Sequence, residues 1–236
     1  MSGSSLKERA KKIIEQLDPD GIKQNALPRP IIIEFTGSPD AGKTTVIDAL
    51  DPFFRRLGFQ VKRPQEGAEL IRHVPRTDHE YNIRTGVYQL GQVIDASYDR
   101  QIDLFILDRG LYDVSCWMEY WVRKGLLSRS KANAYRTFFS DPKWLSKIDI
   151  CFFVICDPEE AIRRNEEAIP LDEFGETTNP ESIRSLVEIT KKTYKYWKAQ
   201  GAPVVLVDTT GRSPKEVASE ILNETLKVLE KRFNIE

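Results

Sequence analysis

Ile31-Ile32-Ile33-Glu34-Phe35-Thr36-Gly37-Ser38-Pro39-Asp40-Ala41-Gly42-Lys43-Thr44-Thr45 is the stretch that decides the fold. Ile31–Thr36 is a short, apolar, β-branched run ending at glycine, the pattern of a strand buried on both faces. Gly37–Thr44 then fits G-x-x-x-x-G-K-[ST], and a helix is expected from Lys43. Glycines let the backbone wrap an oxyanion, with successive N–H groups turned inward and a helix N-terminus behind them. The order strand, glycine loop, helix separates a phosphate cradle from a merely glycine-rich turn. Lys43 is placed to reach the β- and γ-phosphates of a nucleoside triphosphate, and the Thr44 hydroxyl to ligate Mg²⁺. The expected cofactors are therefore a nucleoside triphosphate and Mg²⁺, bound along Gly37, Ser38, Pro39, Asp40, Ala41, Gly42, Lys43, Thr44 and Thr45.

Downstream, apolar runs alternate with helical periodicity. Phe59–Lys62 is a weak strand candidate, residues 80–99 are helical in pattern, and Asp103–Leu107 is a buried strand. Helical stretches over roughly 112–124 and 129–146 precede a strand at Ile148–Ile155, and Asp157-Pro158-Glu159-Glu160 starts another helix. Residues 165–178 lack periodicity and predict a loop. Asn179-Pro180 opens a long helix ending near Gly201, Pro203–Asp208 is a fifth strand, and Ser213-Pro214-Lys215-Glu216 caps the last helix. Strands alternating with helices imply an α/β fold whose parallel sheet is covered on both faces.

Upstream, Ser5 and Glu8 have capping-box spacing, and Leu6, Ala10, Ile13, Ile14 and Leu17 share one helical face. Asp18-Pro19-Asp20-Gly21 is expected to stop this helix. Residues 1–30 are thus expected to be a helical appendage and linker, and 31–236 one catalytic domain. Within the phosphate-loop helix, Pro52 is expected to kink or end it.

The chain has 236 residues, with 35 Lys plus Arg against 36 Asp plus Glu, which argues against affinity by blanket neutralisation of nucleic acid. Cys116, Cys151 and Cys156 have no metal-ligand spacing and predict reduced, packed thiols in a reducing compartment. No apolar run is long enough to span a bilayer, so a cytoplasmic protein is expected.

Asp108, at the end of the third strand, is the candidate second metal residue beside Thr44. Arg109 follows it and could grip an acceptor phosphate in bidentate fashion, its bland alternative being a salt bridge. Arg163 and Arg164 could swing over the triphosphate on a lid, although Glu159 and Glu160 stand at ion-pair spacing. In Arg63-Pro64-Gln65-Glu66, Arg63 could hold an anionic acceptor and Glu66 could take a proton from a hydroxyl. His73 and His79 are expected to be solvated, and Trp117, Tyr120, Trp121 and Phe138–Phe139 to pack the core.

Taken in order, these residues resemble the thymidylate kinase and deoxynucleoside kinase branch of P-loop kinases. The likeness rests on Gly42–Thr45, on Arg63-Pro64 with Glu69-Leu70-Ile71-Arg72, on Asp108-Arg109-Gly110, and on Val207-Asp208-Thr209-Thr210-Gly211. It implies a three-layer α/β/α fold on a five-stranded parallel sheet, with Thr210 in the loop beside the adenine. It assigns Lys43 and Thr44 to ATP·Mg²⁺, Asp108 to the metal, Arg63 and Arg109 to the acceptor, and Arg163 or Arg164 to the lid. The chain departs from the thymidylate kinase pattern at Pro39, where an acid is usual, and at Arg63-Pro64-Gln65-Glu66 in place of Arg-Glu-Pro-Gly. The leading expectation is a small-molecule kinase of a nucleoside monophosphate. Its rival is a kinase of a hydroxyl acceptor with Glu66 or Asp40 as base. A P-loop switch ATPase is disfavoured because Asp108 is followed by Arg, and an Asn-Lys-x-Asp guanine motif is absent. The expected partner is the small phosphoryl acceptor; nothing in the sequence excludes a homodimer.

Overall fold

The computed structural model describes residues 5–17, 29–168, 175 and 177–235. In chain order its elements are α1 (Leu6–Leu17), β1 (Ile31–Gly37), α2 (Lys43–Arg56), β2 (Val61–Lys62), α3 (Gly67–Leu70), α4 (His79–Tyr98), β3 (Leu104–Asp108) and α5 (Leu111–Arg123). There follow α6 (Arg129–Phe139), α7 (Pro142–Leu145), β4 (Ile150–Ile155), α8 (Pro158–Ala168), α9 (Pro180–Ala199), β5 (Val204–Asp208) and α10 (Pro214–Phe233). The five strands form one sheet in the order β2-β3-β1-β4-β5, and all neighbours are parallel. Helices cover both faces, as the alternation of runs requires.

β1 lies at the centre and is buried along its whole length. Its odd residues Ile31, Ile33 and Phe35 join a core with α1, α2 and α10. Ile32 joins the other core, beneath α4, α5, α6 and α9. By the same two-residue period, Glu34 and Thr36 fall on the α5 face, and that accident of register matters for the site.

Several local expectations shift by a residue or two, and three change in kind. The helix from Lys43 runs on through Pro52 to Arg56, giving up one N–H···O bond inside an otherwise packed helix. The stretch 129–146 divides into α6 and α7, because Asp141 caps a new start at Pro142 through its hydrogen bond from the Lys143 N–H. The expected loop at 165–178 begins only after Ala168, since α8 carries on to that residue; 169–174 and 176 lie outside the described residues. So does the predicted stop at Asp18–Gly21.

α1 carries the predicted capping box, with Ser5 N–H donating to Glu8 and Glu8 N–H to the Ser5 hydroxyl. Its Ala10, Ile13 and Leu17 are buried in the same core as β1, and Arg9 pairs with Glu230 of α10 at 2.6 Å. Burying side chains of this size contributes roughly 1.5–3 kcal/mol each, so α1 is bound to the fold by its apolar face. The three cysteines are buried and free. No helix among the described residues is long and apolar enough to cross a membrane.

Candidate active site

The phosphate loop leaves the sheet at Gly37, whose φ is +142° and whose α-carbon lies against β4. A β-carbon there would stand 1.9 Å from the Val154 carbonyl oxygen, so only glycine lets the chain turn at this point. Asp40 (φ 54°) and Gly42 (φ 83°) then take left-handed conformations, curling the loop into the N-terminus of α2. Lys43 lies buried beneath it, its Nζ donating to the Ser38 carbonyl at 2.6 Å and the Gly37 carbonyl at 3.4 Å. Burial, and then the charge of Arg109, lower its pKa to about 8. An arriving triphosphate would favour the charged form. The Ser38 hydroxyl is buried in the same loop without a partner.

Parallel pairing puts Phe35 beside Asp108, so the end of β3 lies next to the loop. Thr44 donates its hydroxyl to Asp108 Oδ2 at 3.0 Å. These are two hard oxygen donors on one point, suited to Mg²⁺. No group of three or more His, Cys, Asp or Glu among the described residues could hold a metal ion alone. A cation here would draw its remaining ligands from phosphate oxygens and water, as Mg²⁺ does at nucleotide sites.

A cavity of about 580 Å³ extends from the loop toward α8 and α10. It is lined by Asp40, Ala41, Gly42, Lys43, Thr44 and Thr45, and on its other walls by Arg163, Arg164, Thr209 and Arg212. The predicted lid arginines differ in their freedom. Arg164 is tied down, to the Thr209 hydroxyl at 3.2 Å and carbonyl at 3.3 Å and to the Asp40 carbonyl at 3.4 Å. Arg163 is exposed on the rim and, among the described residues, is held only by the i,i+4 pair with Glu167. Thr210 does not line this cavity: its hydroxyl donates to Asp208 and accepts from the Asp157 N–H. The neighbouring Thr209 takes the wall position, buried and bonded to the Ala41 carbonyl at 3.1 Å. Asp40 is also occupied, accepting from Asn165 Nδ2 at 3.0 Å, and burial pushes its carboxyl up.

On the other side of Asp108 lies a polar pocket between α3, α4 and α5. Arg109 sits at φ 66°, a left-handed conformation that costs a non-glycine residue about 1–3 kcal/mol. Its guanidinium contacts Asp113 at 3.1 and 3.3 Å, faces Glu66 at 3.4 Å, and lies 5.4 Å from the centre of the Trp117 ring. Burial works against the Arg109 charge, but Asp113, Glu66 and Asp108 together hold its pKa above the ordinary value. Burial raises Glu66 from the usual carboxylate range, with Arg109 opposing. Asp113 is a hub. Besides Arg109 it accepts from the Trp117 indole at 2.6 Å and from the Thr36 hydroxyl.

The hub is held from below by Glu34. This fully buried carboxyl accepts the Leu111 N–H at 2.9 Å and the Asp113 N–H at 3.1 Å, capping the first turn of α5 from the sheet. Burial, then the proximity of Asp113, raises its pKa to about 8 against those N–H bonds. Gly110 is obligatory for this contact, since a β-carbon there would be 2.5 Å from the Glu34 carboxyl.

Further up the pocket, Tyr81 Oη and Gln89 Oε1 are buried without partners among the described residues, while Gln89 Nε2 reaches the Asp108 carbonyl at 3.5 Å. Arg72 and Arg76 line the outer mouth with Arg109, and each donates to a backbone carbonyl, of Glu69 and of Ala68. Arg63 is not among the residues lining either space; it turns away to pair with Asp48 on α2. No sequence motif singled out Glu34, Gln89, Tyr81 or Asp113, while Trp117 packs in the core as expected and also lines this pocket. A signal existed for some of them: Asn82, Thr85 and Gln89 form a polar stripe at helical spacing on an apolar helix, and Asp113 stands four residues after Arg109. Of the histidines, His73 is exposed and His79 is half-buried beside Asp78.

No protein-family model matches the chain, and no curated protein does either. The likeness to known proteins lies in the fold. Deoxyadenosine kinase from M. mycoides, solved with dCMP and a flexible dCDP as products, aligns with a TM-score of 0.60 at 19% identity, over 84% of this chain and 100% of that one. The same enzyme with dATP bound gives 0.56 at 20% identity, over 83% and 99%. Thymidylate kinase from Candida albicans gives 0.56 at 16% identity, over 86% and 94%. The chain has the three-layer fold of P-loop nucleoside and nucleotide kinases.

Proposed function

We propose that this protein is an ATP- and Mg²⁺-dependent kinase that moves the γ-phosphoryl group onto the hydroxyl of a nucleoside-type acceptor. The observation that carries the reading is Glu66, a partly buried carboxyl that lines the polar pocket and its outer mouth within electrostatic reach of Lys43, Asp108 and Arg109. Its raised pKa improves it as a base near neutrality. As the acceptor oxygen bonds to the γ-phosphorus and the bond to the β-phosphate oxygen breaks, Glu66 takes the hydroxyl proton. Lys43 follows the transferring group, and Arg109, oriented by Asp113, stabilises its oxygens. Bound through Thr44 and Asp108, Mg²⁺ would offset phosphate charge at the same end of the cleft. Arg163 is the residue free to close over the triphosphate. The unpartnered Gln89 Oε1 and Tyr81 Oη suit the polar edge of a base, with Trp117 beside it.

A second reading keeps the expectation of a monophosphate acceptor, and Arg72 and Arg76 at the mouth favour it. Against it stand Glu66, which would repel an acceptor phosphate, and Arg63, which is turned away. Radiolabelled ATP presented with nucleosides and with nucleoside monophosphates separates the two. Label on a nucleoside is expected. Label on monophosphates alone would move the assignment to the second reading, and ATP hydrolysis with no labelled acceptor would leave a switch ATPase.

A further inference from the structure

A larger cavity, of about 720 Å³, lies away from the phosphate loop where α5, α6 and α9 meet. Its size is within the range of small-molecule sites. One helix separates it from the acceptor pocket. On α5, Asp113 and Trp117 line the acceptor side, while Ser115, Glu119 and Arg123 line this cavity. Residues two apart on a helix point about 200° from one another, so the two sets occupy opposite faces.

Its wall carries the side chains of Arg123, Arg136 and Lys192 against one lining carboxylate, Glu119. Arg129 and Arg136, the latter at 2.7 Å, converge on Glu119, while Arg123 and Lys192 share Glu188 at 2.9 and 2.7 Å. Four cations thus face two carboxylates, leaving excess positive potential at the opening. The Tyr196 ring, 58% exposed, stands there beside Trp197 and offers a flat apolar face. None of these groups serves the phosphoryl-transfer cleft.

We infer that this cavity is a second ligand site, for a small metabolite that joins a planar ring to a phosphate, the chemistry of a nucleoside monophosphate. The ring stacks at Tyr196, and the phosphate accepts from Arg123 and Lys192 at the opening.

Photolabelling with an azido-substituted adenosine monophosphate, read by peptide mass spectrometry, tests this without requiring phosphoryl transfer. Label on α9 near Tyr196 is expected. It should fall about tenfold in Arg123→Gln, which removes a lining cation, and in Lys192→Glu, a charge reversal at a solvent-exposed position. An excess of inorganic phosphate should compete only weakly, because it lacks the ring. Label confined to the phosphate-loop cleft, or α9 label unchanged in both variants, would overturn the site. So would sedimentation showing a dimer that Lys192→Glu dissociates, since a second copy would then be what covers the cavity. Failure here would leave the kinase assignment untouched, because the acceptor assay does not involve α9.

Discussion

The phosphate loop takes its functional groups from one continuous run, Gly37–Thr45, whereas the proposed acceptor pocket gathers Glu66, Gln89 and the pair Arg109 and Asp113 from three different parts of the chain. The loop works mainly through backbone N–H groups and a helix N-terminus, which any sequence that folds this way presents. The pocket works through side chains whose positions depend on helix packing. Its geometry is inherited from a buried support: Glu34 in β1 caps α5, and α5 then presents Asp113 to Arg109. The loop should therefore be sensitive to a few local substitutions and indifferent to α5, while the pocket should respond to changes beneath it that touch no substrate.

Lys43→Ala is expected to have the largest effect. It removes the one ammonium that follows the transferring group and should lower kcat by roughly 10³-fold or more, with an unchanged circular dichroism spectrum. Near-normal turnover would break the loop half of the comparison.

Glu66→Gln comes next. Loss of a general base costs on the order of 10²–10⁴-fold, and here a fall of about a hundredfold in kcat is expected, with ATP affinity retained. Steady-state kinetics with a nucleoside acceptor measure it. A variant of near wild-type activity would instead favour a phosphate acceptor, which needs no base.

Glu34→Gln probes the support. Glu34 has a folded pKa of about 8, well above the ordinary carboxylate value, so the native state holds a proton that the unfolded chain releases at lower pH. Its contribution to stability is greatest below the unfolded pKa and is lost progressively as pH rises toward 8. Urea titrations of the wild type should show stability falling over that window, and Glu34→Gln should flatten the slope. The variant should also raise the acceptor KM several-fold while leaving the KM for ATP nearly unchanged. Equal changes in both KM values would show that α5 supports the whole cleft.

Arg63→Ala should do least. Its pair with Asp48 lies at the surface, where such pairs contribute about 0–1 kcal/mol. Thermal denaturation should shift little and the acceptor KM should stay put. A large rise in acceptor KM would extend the pocket to the edge of the sheet and restore the role expected of this arginine.

The strands and most helices were legible because burial on both faces leaves unbroken apolar runs, and because capping residues mark helix starts locally. Ser213–Glu216 and Ser5–Glu8 were found from spacing alone, and both make the reciprocal hydrogen bonds. Lys43, Thr44 and Asp108 were legible for a related reason: a fixed loop length and a parallel register fix their separation. The choice between Thr209 and Thr210 was not, because a strand end gives adjacent residues opposite directions and only the packing of β5 on the loop decides which one faces inward.

The sequence by itself determined the α/β class, the phosphate loop and the approach of Asp108 to that loop, since each depends on residues close in the chain or on strand periodicity. Tertiary structure decided the acceptor pocket. It turned Arg63 out to Asp48, brought Glu66 to Arg109, left Gln89 Oε1 without a partner among the described residues, and set Glu34 beneath α5. The physical reason is that a charged side chain's role depends on which opposite charge or donor lies within a few ångströms. Over tens of residues of separation, that neighbour is chosen by how helices pack on the sheet and not by spacing along the chain.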